Sequence, residues 1–316
     1  MEKRGIPFKS VFTGQHRELF EDVKKIIPPP NYNLKIMKIN QNLSDILINI
    51  SSVFSKLLLS ESPDLLLVQG DTTTVAVCAL IAFYQKVPVG HIEAGLRTYD
   101  LSSPYPEECN RQIVSRIASY NWAPTKLAVK QLKQEKVKNV ILTGNTIVDA
   151  CRKFNYSISY SNKILITMHR RENFGLKMKK IFQQIELLAI QHPNLEFIFP
   201  MHPNPNIQKL KPIFKHVNVI QSLRYDKMIE LLSQAKFVIS DSGGIQEECA
   251  TFRKKILVCR DTSERPEGIT SGFAKLVNTS ILENFAWAND SPEWSGKNPY
   301  GDGTAAKKII DSIVYE

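Results

Sequence analysis

Two rhythms of apolar residues alternate along the chain. Short, mostly apolar runs such as Leu65-Leu66-Leu67-Val68, Lys163-Ile164-Leu165-Ile166-Thr167 and Phe237-Val238-Ile239-Ser240 have the length and character of strands buried on both faces of a parallel sheet. Further runs, Phe8 to Thr13, Val87 to Ile92, Leu195 to Phe199, Val217 to Ile220 and Ile256 to Val258, predict more strands. Between them apolar residues recur every three or four positions. Leu43, Ile46, Leu47, Ile50, Val53, Phe54, Leu57 and Leu58 predict a helix from Leu43 to Leu59. Helices are also expected over Glu18 to Ile27, where Pro28-Pro29-Pro30 stops the chain, over Thr74 to Gln85, and over Met178 to Gln191. Met1-Glu2-Lys3-Arg4-Gly5 reads as the last turn of a helix capped by glycine.

This βα alternation restarts after Asn145. Two blocks predict an α/β protein of two Rossmann-like, doubly wound domains, 1–150 and 151–316, with a hinge between Ala150 and Ser161 and the last helix packing back on the first domain. The length of 316 residues suits that count. With 43% hydrophobic and 23% charged residues, disorder is not expected. No stretch approaches 18 to 20 uninterrupted apolar residues, so no membrane partner is expected. Five cysteines without a CxxC pair argue against a disulfide scaffold or a zinc site and make a cytoplasmic location the expectation. The net charge of +10 favours anionic ligands. Because no helix-turn-helix, RNP-like or zinc-finger pattern accompanies it, nucleic acid is not the expected partner.

Ligands of open α/β sheets bind at the carboxyl ends of strands, so chemistry is sought just after each apolar run. Asp71 follows Gly70 at a helix start, where a plain N-cap is the alternative. Glu93 lies in His91-Ile92-Glu93-Ala94-Gly95-Leu96-Arg97, where a salt bridge is the alternative. Glu107 and Glu108 follow two prolines and precede Arg111; the alternative is an acidic first turn favoured by the helix dipole. Such carboxylates can serve as general acids and bases. In the second block, His169 and Arg171 resemble a diphosphate clamp. His202 stands between prolines, and neither histidine has metal-motif spacing. Ser242-Gly243-Gly244 at a helix N-terminus offers free N–H groups and a favourable dipole to an anion. Glu248, one turn on, suits ribose hydroxyls, and Arg265 follows the strand Ile256 to Val258.

These motifs, GDTTT (Gly70 to Thr74), HIEAGLRT (His91 to Thr98), PYPEECNR (Pro104 to Arg111), TGNTIVDA (Thr143 to Ala150), MHRRENFG (Met168 to Gly175), SDSGGIQEE (Ser240 to Glu248) and ERPEG (Glu264 to Gly268), run in an order that resembles the non-hydrolysing UDP-N-acetylglucosamine 2-epimerases. The resemblance covers nearly the whole chain. It implies a GT-B-like fold with substrate in the interdomain cleft, and interconversion of UDP-GlcNAc and UDP-ManNAc through loss and re-addition of UDP. It implies Asp71, Glu93, Glu107 and His169 as catalytic residues, and Arg111, Arg171, His202, Ser242, Gly243, Gly244, Glu248 and Arg265 as substrate contacts. No metal, NAD or other cofactor is expected. The expected partners are a UDP-sugar and a second copy of the chain.

Two departures from the family pattern stand out. Glu18 and Asn40 occupy positions where bacterial members often carry Gln and Arg for an activating second UDP-GlcNAc, which predicts loss of that regulation. Family members also open with an apolar strand and a Gly-Thr-Arg-Pro-Glu turn, whereas Met1 to Gly5 match the end of the helix that follows, so the first domain is expected to be shortened. An inactive UDP-sugar-binding member, an epimerase of a related UDP-2-acetamido sugar, and a GT-B glycosyltransferase stay open as alternatives.

Overall fold

The computed structural model describes residues 1–15, 20, 24, 27–37 and 41–314. The helix expected over Glu18 to Ile27, and the positions Glu18 and Asn40, lie largely or wholly outside those residues. The chain forms two compact units, Met1–Thr146 together with Thr304–Glu316, and Ile147–Gly303.

In the first unit, strands β3 (Leu66–Gln69), β4 (Val89–Ile92), β5 (Tyr120–Ala123) and β6 (Val140–Leu142) form a parallel sheet in sequence order. β1 (Val11–Phe12) and β2 (Tyr32–Asn33) pair separately, also in parallel. The helix Leu43–Glu61 starts at a capping box in which the Asn42 side chain and Asp45 satisfy each other's backbone N–H. It buries Ile50, Phe54 and Leu58 against Ala76, Val77 and Ala79 of the helix Thr73–Tyr84 and Val89 of β4. Glu2–Arg4 is a single 3-10 turn, closed by Gly5 at φ 64°, the left-handed cap that the sequence predicts.

The second unit holds six parallel strands: β7 (Lys163–Thr167), β8 (Glu196–Met201), β9 (Asn218–Gln221), β10 (Phe237–Ser240), β11 (Ile256–Val258) and β12 (Ala274–Leu276). Their spatial order is β12-β11-β10-β7-β8-β9. This is the doubly wound order, which reverses direction between β7 and β10. One core lies on each face, with Phe182, Phe197 and Phe199 on one side and Phe252, Phe273 and Tyr300 on the other.

The unit boundary falls at Thr146/Ile147, before the hinge expected between Ala150 and Ser161. The helix Thr146–Lys153 buries Val148 and Cys151 in a core shared with Leu165, Ile229 and Val238, so it is anchored in the second unit. The second unit also ends at Gly303 instead of running to residue 316, because the helix Ala305–Val314 belongs to the first. There Trp122 Nε1 donates to Ser312 Oγ at 2.8 Å, and Arg4 pairs with Asp311 at 2.5 Å.

Trp122 is completely buried, and β4 leaves room for it only through a glycine: a Cβ at Gly90 would lie 2.4 Å from Trp122 Cζ3 and 2.9 Å from Leu67 Cδ2. Gly90→Ala should therefore destabilise the first unit by about 1–3 kcal/mol, the cost of overpacking a filled core. Thermal unfolding followed by scanning calorimetry reads this, and an unchanged midpoint would show that the Trp122 ring has space to move.

Candidate functional site

The first unit gathers its polar side chains at the carboxyl ends of β3 and β4. Gln69 pairs with Ile92 in register, so Asp71 and Glu93 leave adjacent strands side by side. The Gly70 N–H donates to Ile92 O at 3.1 Å. Glu93 is a non-glycine residue at φ 67°, a conformation that costs free energy and concentrates at functional sites.

The helix Glu107–Ile117 completes this group. Arg111 reaches Asp71 Oδ2 with Nη2 at 2.5 Å and Nε at 3.1 Å, and Glu108 Oε2 with Nη1 at 3.0 Å. Asn110 Nδ2 donates to Asp71 O at 2.9 Å. The adjacent carboxylates that the sequence leaves equivalent thus separate. Glu108 is fully buried and accepts the backbone N–H groups of Thr98 and Tyr99 at 3.0 and 3.1 Å, which makes it a clamp on that loop. Glu107 is half-buried at the start of the helix, four residues before Arg111 and so on the same helical face.

In the second unit, His169 follows β7 and Ser242 follows β10, the two neighbours at which strand order reverses. That reversal opens a crevice in doubly wound sheets and is where their ligands bind. Ser242 is the N-cap of the helix Gly243–Thr251 but makes no side-chain cap hydrogen bond. Gly243 is needed by close packing, because a Cβ there would lie 2.5 Å from Arg265 Nη1. Gly244 faces open space, with nothing within 4 Å of a Cβ built on it. The first-turn N–H groups and the positive end of the helix dipole together suit an anion at this end.

Asp241, just before this helix, accepts the backbone N–H groups of His169 and Arg170, so the loop after β7 is held against the end of β10. The His169 and His202 rings stack with centroids 6.0 Å apart. His202 Nδ1 accepts the Asn204 N–H at 3.1 Å, which leaves its proton on Nε2. Burial pulls the pKa of His169 down, the Asp241 carboxylate opposes that, and Arg170 and His202 add to the lowering. Arg171 is exposed, and among the described residues no hydrogen bond or ion pair engages its guanidinium.

Arg265 has different surroundings from those its motif suggests. Its guanidinium is tied to Glu247 at 2.7 Å and Glu264 at 2.5 Å, and it lies beneath Gly243. Arg260 joins Glu264 at 2.8 Å and Glu172 at 2.8 Å. Burial alone would raise the Glu264 pKa, but Arg265 and Arg260 outweigh it and bring it down to about 2. Glu248 has no such cation. Its burial raises its pKa to about 7, with the Tyr225 hydroxyl opposing. Sequence reasoning missed Asp241, Asn173 and Tyr225 as members of these networks. Asp241 carried a signal, since it sits at a strand end inside a quoted motif, but a polar residue there looks the same as a helix cap. Among the described residues no group of three or more His, Cys, Asp or Glu side chains could hold a metal ion.

A doubly wound sheet with an open helix start at its switch point is the class of fold that binds phosphorylated ligands there. The family follows from comparison. The family model described as UDP-N-acetylglucosamine 2-epimerase matches residues 1–314, and the chain belongs to that family, whose members are isomerases. It is 39% identical to the UDP-N-acetylglucosamine 2-epimerase of Campylobacter jejuni over 351 aligned residues, covering 99% of this chain and 92% of the relative. Among solved structures, the UDP-GlcNAc 2-epimerase of Neisseria meningitidis bound to UDP-GlcNAc superposes with a TM-score of 0.88 at 38% identity, covering 99% and 93% of the two chains. The enzyme of Methanocaldococcus jannaschii in complex with UDP-GlcNAc and UDP gives 0.83 at 30% identity, covering 100% and 94%. The fold is accordingly the GT-B-like α/β fold of this family.

His91 ties the first unit's site to its stability. The ring is completely buried, with Nε2 2.8 Å from Gly70 O, so it holds the turn that carries Asp71. Burial brings its pKa down to about 4, the hydrogen bond to Gly70 opposing. The unfolded chain titrates near ~6.5. Between these values the unfolded state binds a proton that the folded state does not, so stability falls as pH drops from about 6.5 towards 4. The full shift of roughly 2.5 units corresponds to about 3 kcal/mol at about 1.4 kcal/mol per unit. Urea midpoints at pH 7 and pH 4.5 should differ more in the wild type than in His91→Gln; equal losses in both would remove His91 as the cause.

Proposed function

We propose that the chain interconverts UDP-GlcNAc and UDP-ManNAc by elimination and re-addition of UDP. The observation that carries this reading is the arrangement at the β7/β10 strand ends. A helix start open at Gly244, with His169 on the neighbouring strand end, His202 stacked on it and the exposed Arg171 two residues further along, suits a diphosphate leaving group. Glu248, buried one turn along the same helix, suits the ribose hydroxyls. Arg265 supports the binding loop from beneath Gly243.

The chemistry divides into two tasks. The C1–O bond breaks and its electron pair leaves with UDP, assisted by His169 and the helix start. A carboxylate removes the C2 proton, which gives 2-acetamidoglucal. Re-addition of UDP at C1, with a proton delivered to the other face of C2, gives the epimer. Asp71, Glu93 and Glu107 are the acids and bases of this exchange, and Arg111 holds Asp71 in place.

His169→Asn and Glu107→Gln should each lower turnover by roughly 10²-fold or more with the fold intact. The assay incubates the purified chain with UDP-GlcNAc in deuterated water and follows UDP-ManNAc and deuterium at C2. Near-normal turnover in both variants, or epimerisation without deuterium, would overturn the reading. UDP binding without turnover by the wild type would make the chain a UDP-sugar-binding member of the family, and turnover of a different UDP-2-acetamido sugar alone would change the substrate.

The same reading includes a homodimer. Leu47, Ile48 and Leu59 are 48%, 61% and 64% exposed on the helix Leu43–Glu61, and Phe83 and Tyr84 are exposed at the end of the next helix. By length and composition the first of these helices would also suffice to cross a membrane. Asp45, Asn49, Ser52 and Lys56 interrupt its apolar surface, which fits a second copy better than lipid. A cytoplasmic location fits four thiols buried among apolar side chains. Ile48→Glu should convert a dimer to a monomer in sedimentation experiments, whereas a wild type that sediments as a monomer, or binds vesicles, would contradict this.

A further inference from the structure

One fully buried carboxylate has no part in the roles above. Asp241, at the end of β10, accepts the backbone N–H groups of His169 and Arg170 and the Asn173 side-chain amide, each at 3.0 Å. Asn173 also donates to Cys259 O at 2.9 Å, which fastens the loop after β7 to the end of β11. Asp241 Oδ1 lies 3.8 Å from His169 Nδ1. That is too long for a hydrogen bond but short enough for strong electrostatic coupling.

The charges acting on the His169 ring come from three strand ends. Arg170 in its own loop and His202 after β8 disfavour the imidazolium, as does loss of water, while Asp241 after β10 favours it. Near Asp241 stand Asn173, which is neutral, and the buried Cys259 thiol, with Lys177 beyond it. We propose that Asp241 is the positioning residue of His169: it fixes the backbone that carries the ring and supplies the counter-charge that keeps the imidazolium available as an acid. This rests on the reading that His169 assists UDP departure. In that step the proton passes from Nε2 to a diphosphate oxygen, and the remaining Nδ1–H faces Asp241.

The test uses the full chain with ¹⁵N-labelled histidine rings, without ligand; His169 is the signal lost in His169→Asn. In the wild type the neutral ring should carry its proton on Nδ1. In Asp241→Asn the titration midpoint should fall by about one unit or more, because the favouring charge is gone. In Asp241→Glu it should stay within about half a unit of the wild type. A residue that merely pinned the loop would not lower the midpoint: the ring, already 42% exposed, would at most gain further water and move up towards ~6.5. A rise or no change in Asp241→Asn overturns the proposal. So does a wild-type neutral ring protonated on Nε2, a result that needs no variant to fold. None of these titrations depends on turnover, so an absence of epimerase activity would defeat the function proposed above without altering the outcome that decides the Asp241–His169 coupling. Where turnover is measured, Asp241→Asn should lower kcat with little change in KM.

Discussion

The parallel pairing of β7 with β10 is the constraint on which the second unit depends. Phe237 to Ser240 lie beside Ile164 to Thr167, although 73 residues separate Thr167 from Ser240. Strand order reverses at this pair, so the loops that follow the two strands leave towards opposite sides and open a crevice. One of those loops brings His169, the other Ser242 to Gly244. Thr167 and Ser240 hydroxyls meet at 2.5 Å at the end of the pair, and Asp241 then crosses to the neighbouring loop's backbone. A buried carboxylate is costly unless hydrogen bonds replace its lost water. Here two N–H groups and an amide replace it, so the polar interaction that makes the burial tolerable also sets the loop's position.

Charge in this unit is arranged in two tiers. Arg260 and Arg265 are buried and matched by Glu264, Glu247 and Glu172. Removing one partner from such a set would leave a buried charge uncompensated, so these pairs hold the glycine loop in place. Arg171 is the more accessible cation, and His169 and His202 stack with their ring centroids 6.0 Å apart. In the proposed function a diphosphate would meet the exposed Arg171, while Arg265 lies packed against Gly243.

The sequence made the layers of this fold readable where strands are continuous apolar runs. Leu66–Gln69, Lys163–Thr167, Phe237–Ser240 and Ile256–Val258 all fall where apolar runs predict them. Tyr120–Ala123 and Ala274–Leu276 escaped that reading, because an asparagine and a lysine interrupt runs of only four and three residues. Tyr32–Asn33 is too short to show any period. The site was legible as motifs but not as roles. Glu107 and Glu108 are chemically identical neighbours, and only the folded loop at Thr98 and Tyr99 distinguishes the clamp from the accessible acid. The pairing of Arg265 with Glu247 could not be read from the sequence, because the two lie 18 residues apart in the chain and meet only in space. Asp241 was hidden for the same reason, since its partners lie 68 to 72 residues upstream.

The two units also divide the chemistry by the kind of charge each can hold. The first places carboxylates at the ends of β3 and β4 and restrains one of them with Arg111. The second places cations and helix N–H groups at the ends of β7 and β10. Elimination of a diphosphate coupled to proton loss needs both kinds, because negative charge builds on the leaving group while a base gathers a proton at the adjacent carbon. Where a cation does meet the carboxylates, it is Arg111, which pairs Asp71 and Glu108 and fixes their positions. In the proposed epimerisation the first unit would then handle the proton and the second the leaving group.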